Sequence, residues 1–143
     1  MGNEASIEFV RWPYDDESWH IGIRAADAAY RVEQEFYAYP SELVELANRL
    51  SDFPVHRADE VRFEVGAKDS SSAHWVLLRV FVVDAAGHAA VTIDVGDNGD
   101  ELRRRSARFT IGCDVASLNQ LGQDLRRWIE KPDASLCTRL RSS

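Results

Sequence analysis

Alternation of apolar and polar residues with a period of two runs through most of this chain. Ile7 and Phe9 alternate with Ser6 and Glu8, and Trp19, Ile21, Ile23 and Ala25 alternate with His20, Gly22 and Arg24. After a turn near Asp27, Tyr30, Val32, Phe36 and Ala38 alternate with Arg31, Glu33, Glu35 and Tyr37. Each run predicts a half-buried antiparallel strand, apolar side inward. Pro40 ends the third run and Ser41 is the expected N-cap of a helix. Leu43, Leu46, Ala47 and Leu50 then recur at helical spacing until Pro54.

The second half repeats the theme. Val61, Phe63 and Val65 alternate with Arg62 and Glu64, and Gly66–Ala73 reads as a loop. The run WVLLRVFVV at 75–83 is apolar on both phases, as in a central strand covered on both faces. Ala89, Val91, Ile93 and Val95 form a further strand, Gly96–Glu101 is turn chemistry, and Ala107, Phe109 and Ile111 mark the return. Ser117 with Gln120 matches a capping box, and Leu118, Leu121, Leu125, Trp128 and Ile129 form one helical stripe. The expected fold is a single α+β domain over residues 1–143, a largely antiparallel sheet of six or seven strands. Its order is β-β-β-α-β-β-β-β-α, with helices near 41–52 and 115–130 on one face. Residues 131–143, beyond the second helix, are expected to be a loose tail. Residues 42–53 and 117–128 align without gaps, leucine on leucine. An internal repeat gives this, and so does any pair of amphipathic helices on a sheet.

Composition narrows the partners. The 143 residues include 17 Lys and Arg against 24 Asp and Glu, a net charge of −7, with 45% hydrophobic side chains. Residues 1–71 carry −8 and residues 72–143 carry +1. Such a chain is repelled by phosphate backbones and anionic lipid, so neither nucleic acid nor a membrane is an expected partner, whereas a basic protein is. No apolar run is long enough to span a bilayer and no secretory leader precedes Ile7, so the expected location is cytoplasmic. Fifteen arginines against two lysines and 17 alanines suggest a bacterial source.

Catalytic and metal chemistry finds little support. His20, His56, His74 and His88 are scattered without ligand spacing, and Cys113 and Cys137 form no C-x-x-C pair. The acids of DVGDNGDE (94–101) do not match a calcium loop, and Asn98-Gly99 is an ordinary turn dipeptide. Arg103, Arg104, Arg105 and Arg108 form one basic cluster, which alternation divides between faces, without interleaved aromatics. No catalytic residue, metal or cofactor is expected.

The segment WPYDDESW (12–19) is the most informative. Trp12, Tyr14 and Trp19 flank Asp15, Asp16 and Glu17, and Tyr37 and Tyr39 extend the patch on an outward phase. Exposed aromatics anchor partners and neighbouring acids select a basic one. Otherwise both tryptophans finish the core and the acids are a solvated turn. FYAYPSELVELANRLSDFP, with VRFEVG and WVLLRVFVVDAAGH, resembles small uncharacterised bacterial domains across residues 30–125. That resemblance carries structural motifs and no active-site residue, and it implies an immunity protein of the kind found beside toxins. The expected function is therefore a non-enzymatic protein-interaction module. The alternative is a small-molecule binder or minor enzyme with a pocket between sheet and helices.

Overall fold

The computed structural model describes residues 5–12, 17–68, 72–100, 102, 104–132 and 135–142. Eight strands and two helices follow one another as β1 (Ala5–Trp12), β2 (Trp19–Ala26), β3 (Arg31–Ala38), α1 (Pro40–Ser51), β4 (Glu60–Val65), β5 (His74–Val82), β6 (His88–Asp97), β7 (Arg105–Asp114), α2 (Val115–Glu130) and β8 (Leu136–Leu140). The α+β class is as expected, but the strands divide into two antiparallel sheets of four. Sheet A has the order β3-β2-β1-β8 and sheet B the order β4-β5-β6-β7. Each sheet therefore ends in an edge strand, β3 or β7, that leads directly into a helix.

The residues 136–140 are not loose. Leu140 pairs with Ala5, Thr138 with Ile7 and Leu136 with Phe9, so the end of the chain completes the sheet that its beginning opened. The LCTRL run alternates buried and exposed positions over only five residues, and a partner more than 120 positions away leaves no local signal.

The two sheets lie across one another. Along β3, Phe36 packs edge-on against Phe63 of β4 (6.0 Å between ring centroids). Gln34 donates to Asp97 at the end of β6 (2.9 Å) and lies 3.3 Å from His74 at the start of β5. Tyr30, just before β3, meets Phe109 of β7 at 6.0 Å. The strand and the residue before it thus meet all four strands of sheet B in turn, a crossed rather than aligned packing.

The helices fill the wedge between the sheets. Leu43, Leu46, Ala47 and Leu50 of α1 and Leu118, Leu121, Leu125 and Trp128 of α2 are buried in one core that both sheets share. The gapless alignment of 42–53 with 117–128 lands on these equivalent buried positions. Neither cap falls where the sequence suggests. Pro40 opens α1, with the Tyr39 N–H donating to Glu42 (3.2 Å), and Asp114 caps α2 by accepting from the Ser117 N–H (2.7 Å). Proline needs no N–H partner at the first helical position, and the aspartate is already aimed by the end of β7. The side-chain amide of Asn119 closes the far end of α1 by donating to the carbonyls of Leu50 (3.0 Å) and Phe53 (2.7 Å).

Two outcomes follow. Ending the chain at Lys131 removes β8 and uncovers its bed on β1. With Leu136 and Leu140 each worth about 1.5–3 kcal/mol, the truncated protein should lose ~3–6 kcal/mol in urea unfolding; a loose tail would leave the midpoint unchanged. The second concerns the carboxyl of Asp97, which the Gln34 amide, then His74, holds below its ordinary 3.8. A depressed pKa contributes stability above the unfolded value and loses it as pH falls through the folded one. The urea midpoints of the parent and Asp97→Asn should therefore differ near neutral pH and converge below about pH 3.8.

Candidate functional site

The strand register builds a stacked row of rings on the outer face of sheet A. Trp12 of β1 stands opposite His20 of β2, and His20 opposite Tyr37 of β3. Their rings stack in series, at 4.2 Å and 22° between Trp12 and His20, and at 4.7 Å and 16° between His20 and Tyr37. Gly22 makes room for this. A Cβ there would lie 3.0 Å from Val10 and 3.1 Å from the Trp12 ring, so the bare backbone lets the indole lean across β2. The β8 ladder stops at Phe9, and β3 is the sheet's edge, so no strand flanks either end of the row. Tyr37 keeps 53% of its surface exposed.

The strands place three acids, Glu8, Glu33 and Glu35, and three arginines, Arg24, Arg31 and Arg139, on this face. Arg24 sits between Glu8 (3.2 Å) and Glu33 (3.3 Å), which raise its pKa further, Glu8 most. Glu35 meets His20 at 3.0 Å. The last row of the same face runs Arg139, Ser6, Ala26, Arg31, two cations flanking two small residues. A stacking surface at one end and two arginines at the other are joined by Arg24 and the three acids.

Of the expected patch, Trp12 and Tyr37 join this row, and His20 joins it unforeseen. Trp19 does not. It turns to the core, edge-on to Trp128 (5.9 Å) with the Arg11 guanidinium 4.1 Å from its ring. Glu17 is exposed in the loop, and Tyr39 is 52% exposed at the start of α1. Tyr14, Asp15 and Asp16 lie outside the described residues. The signal for His20 was its phase together with the turn after Asp27, which sets which β3 residue it faces.

The other candidates disperse. Asp94 points to the outer face of sheet B, where Lys68 (2.7 Å) and the Trp75 indole N–H (3.3 Å) hold it, while Asp97 points inward. The two do not converge on a cation, and among the described residues no cluster of three metal-ligating side chains forms. Burial, and then Asp114, push the Cys113 thiol up to about 12, which removes it as a nucleophile. Arg105 faces Asp97 and Arg108 faces Asp94 across the ladder, on opposite sides of sheet B; Arg103 lies outside the described residues. A hollow of about 550 Å³ lies between α2 and β8, at the edge of sheet A. No described helix is long and apolar enough to cross a membrane.

No family model matches the chain. It is 26% identical over 132 residues, 86% of its length, to fusarin C synthetase of Gibberella fujikuroi, of which it spans only 3%. Two solved structures share the fold at 12% identity. The plant transcriptional regulator PBF-2 superposes with a TM-score of 0.52, over 87% of this chain and 72% of that one. WHY1 from Arabidopsis thaliana superposes with a TM-score of 0.54, over 94% and 87%. These likenesses correct the expectation of a bacterial, immunity-protein-like domain. They also overturn the protein-interaction module for a basic partner and the exclusion of nucleic acid, which rested on net charge. Net charge is a sum over the whole surface, whereas the outer face of sheet A is locally balanced.

Proposed function

We propose that this chain binds single-stranded nucleic acid on the outer face of sheet A, in the service of transcription. The observation that carries the reading is the stacked row of Trp12, His20 and Tyr37. Unpaired bases present π-faces, which stack on aromatic side chains regardless of sequence, whereas a duplex hides them. A base on the outer side of Tyr37 extends a stack already three rings long, and phosphates reach Arg31 and Arg139 at the other end of the face. The likeness of fold to a plant transcriptional regulator supports the same reading.

The net charge of −7 works against binding, but at a distance. At physiological salt the Debye length is about 8 Å, so acids beyond the face are largely screened. Stacking must then supply most of the affinity.

The test is fluorescence anisotropy with a labelled oligothymidine of about 12 nucleotides. The single strand should bind and its duplex should not. Tyr37→Ala should cost about 1–3 kcal/mol, roughly 5- to 100-fold in Kd, without changing the melting curve. With two phosphate contacts, log K should fall against log salt with a slope of about −1.4, and Arg31→Ala should reduce it by about 0.7. Absence of binding at low salt, or a Tyr37→Ala variant that binds like the parent, contradicts the proposal.

A further inference from the structure

β8 is the outermost strand of sheet A, and its pairing is with β1. Beyond its end, Arg141 shows which way the backbone faces. Its N–H donates to the Ser117 hydroxyl (2.9 Å) and its carbonyl accepts from the Asp114 N–H (2.7 Å), both away from β1. Backbone groups in an antiparallel ladder reverse direction at each residue, so Cys137, four positions earlier, faces outward too. Alongside runs α2, presenting Ala116, Gln120, Asp124, Arg127 and Lys131 at helical spacing as one stripe. Between strand edge and helix lie two adjoining hollows of about 550 and 400 Å³, which share Asp124 and Cys137 as lining. A channel with a strand edge on one side and a helix on the other is the geometry in which an extended peptide adds to a sheet.

The charges select its chemistry. The carboxylate of Asp124 accepts from Thr138 (2.6 Å), Gln120 (2.9 Å) and Arg127, and that of Asp114 caps α2 (2.7 Å). Both acids are engaged within the protein. Beyond the Asp124–Arg127 pair, Lys131 and Arg141 are exposed along the channel, two cations on a chain of net charge −7.

We propose that this channel takes up an extended, acidic segment of a partner protein as an added strand on β8. The outward backbone of Cys137 supplies the ladder, and Lys131 and Arg141 select the carboxylates. This site is separate from the stacked rings and does not depend on the nucleic-acid reading.

Cys137 is its own reporter, because it is exposed while Cys113 is buried and its thiol is pushed up to about 12. The probe is a blocked peptide of about nine residues alternating valine or threonine with glutamate, and its control carries lysine for glutamate. The acidic peptide should slow alkylation of Cys137 by iodoacetamide about fivefold or more and slow exchange of the Cys137 amide; the lysine peptide should do neither. Cys137→Pro removes an outward N–H only and leaves the pairing of Leu136, Thr138 and Leu140 with β1. It should melt like the parent, weaken the labelled acidic peptide about tenfold or more, and bind oligothymidine unchanged. Should Cys137→Pro fail to fold, the double variant Lys131→Glu and Arg141→Glu should reverse the preference toward the lysine peptide. No protection by the acidic peptide, equal protection by both, or undiminished binding to both the proline and charge-reversed variants overturns the proposal.

Discussion

At Gly122 α2 comes so close to α1 that a Cβ there would lie 2.5 Å from the Ser51 backbone nitrogen and 2.8 Å from the Ala47 carbonyl oxygen. The rest of the architecture depends on that approach. Each helix continues directly from the edge strand of its own sheet, α1 from β3 and α2 from β7. Locking the helices together therefore locks the edge strands in their crossing, and with them the two sheets. A pair of helices held further apart would leave a gap in the wedge that the leucines of both stripes now fill, and cavities of that kind cost about 24 cal/mol per Å³.

The same constraint decides where function can reside. Both helices and both inner sheet faces are consumed by one core, so what remains is the outer faces and the strand edges. On sheet B's outer face the Asp94 carboxylate is taken by Lys68 (2.7 Å), and Asn98 donates to the carbonyls of Ala67 (2.6 Å) and Ser72 (2.8 Å). Sheet A's outer face carries the three stacked rings and three acids matched in number by three arginines. An acidic protein thereby keeps one face on which acids and arginines are equal in number.

The amino-acid pattern made much of this legible, though unevenly. The leucine stripes predicted both helices because burial follows a 3.6-residue period whatever the helix packs against. The strands of both meanders were equally readable, most by one wet and one dry face and β5 by a run apolar on both phases. The division into two sheets was not, because nothing local in β3 and β4 says that α1 separates them, and β8 finds its partner at the other end of the chain. The aromatic segment was half legible. Trp12 and Trp19 look alike in sequence, but the register places Trp12 opposite the outward His20 and Trp19 opposite the buried Ala38. Net charge misled most, because a sum over all residues hides a face on which Arg24, Arg31 and Arg139 match Glu8, Glu33 and Glu35 in number.

The most direct measurement of the central claim is a titration of ¹⁵N-labelled protein with a single-stranded oligothymidine, followed by amide and indole shifts. The account predicts saturable shifts at Trp12, His20, Gly22, Arg24 and Tyr37, with the outer face of sheet B around Thr92 and Thr110 unmoved. Shifts confined to sheet B or to the helices, or none at saturating oligonucleotide, would contradict it.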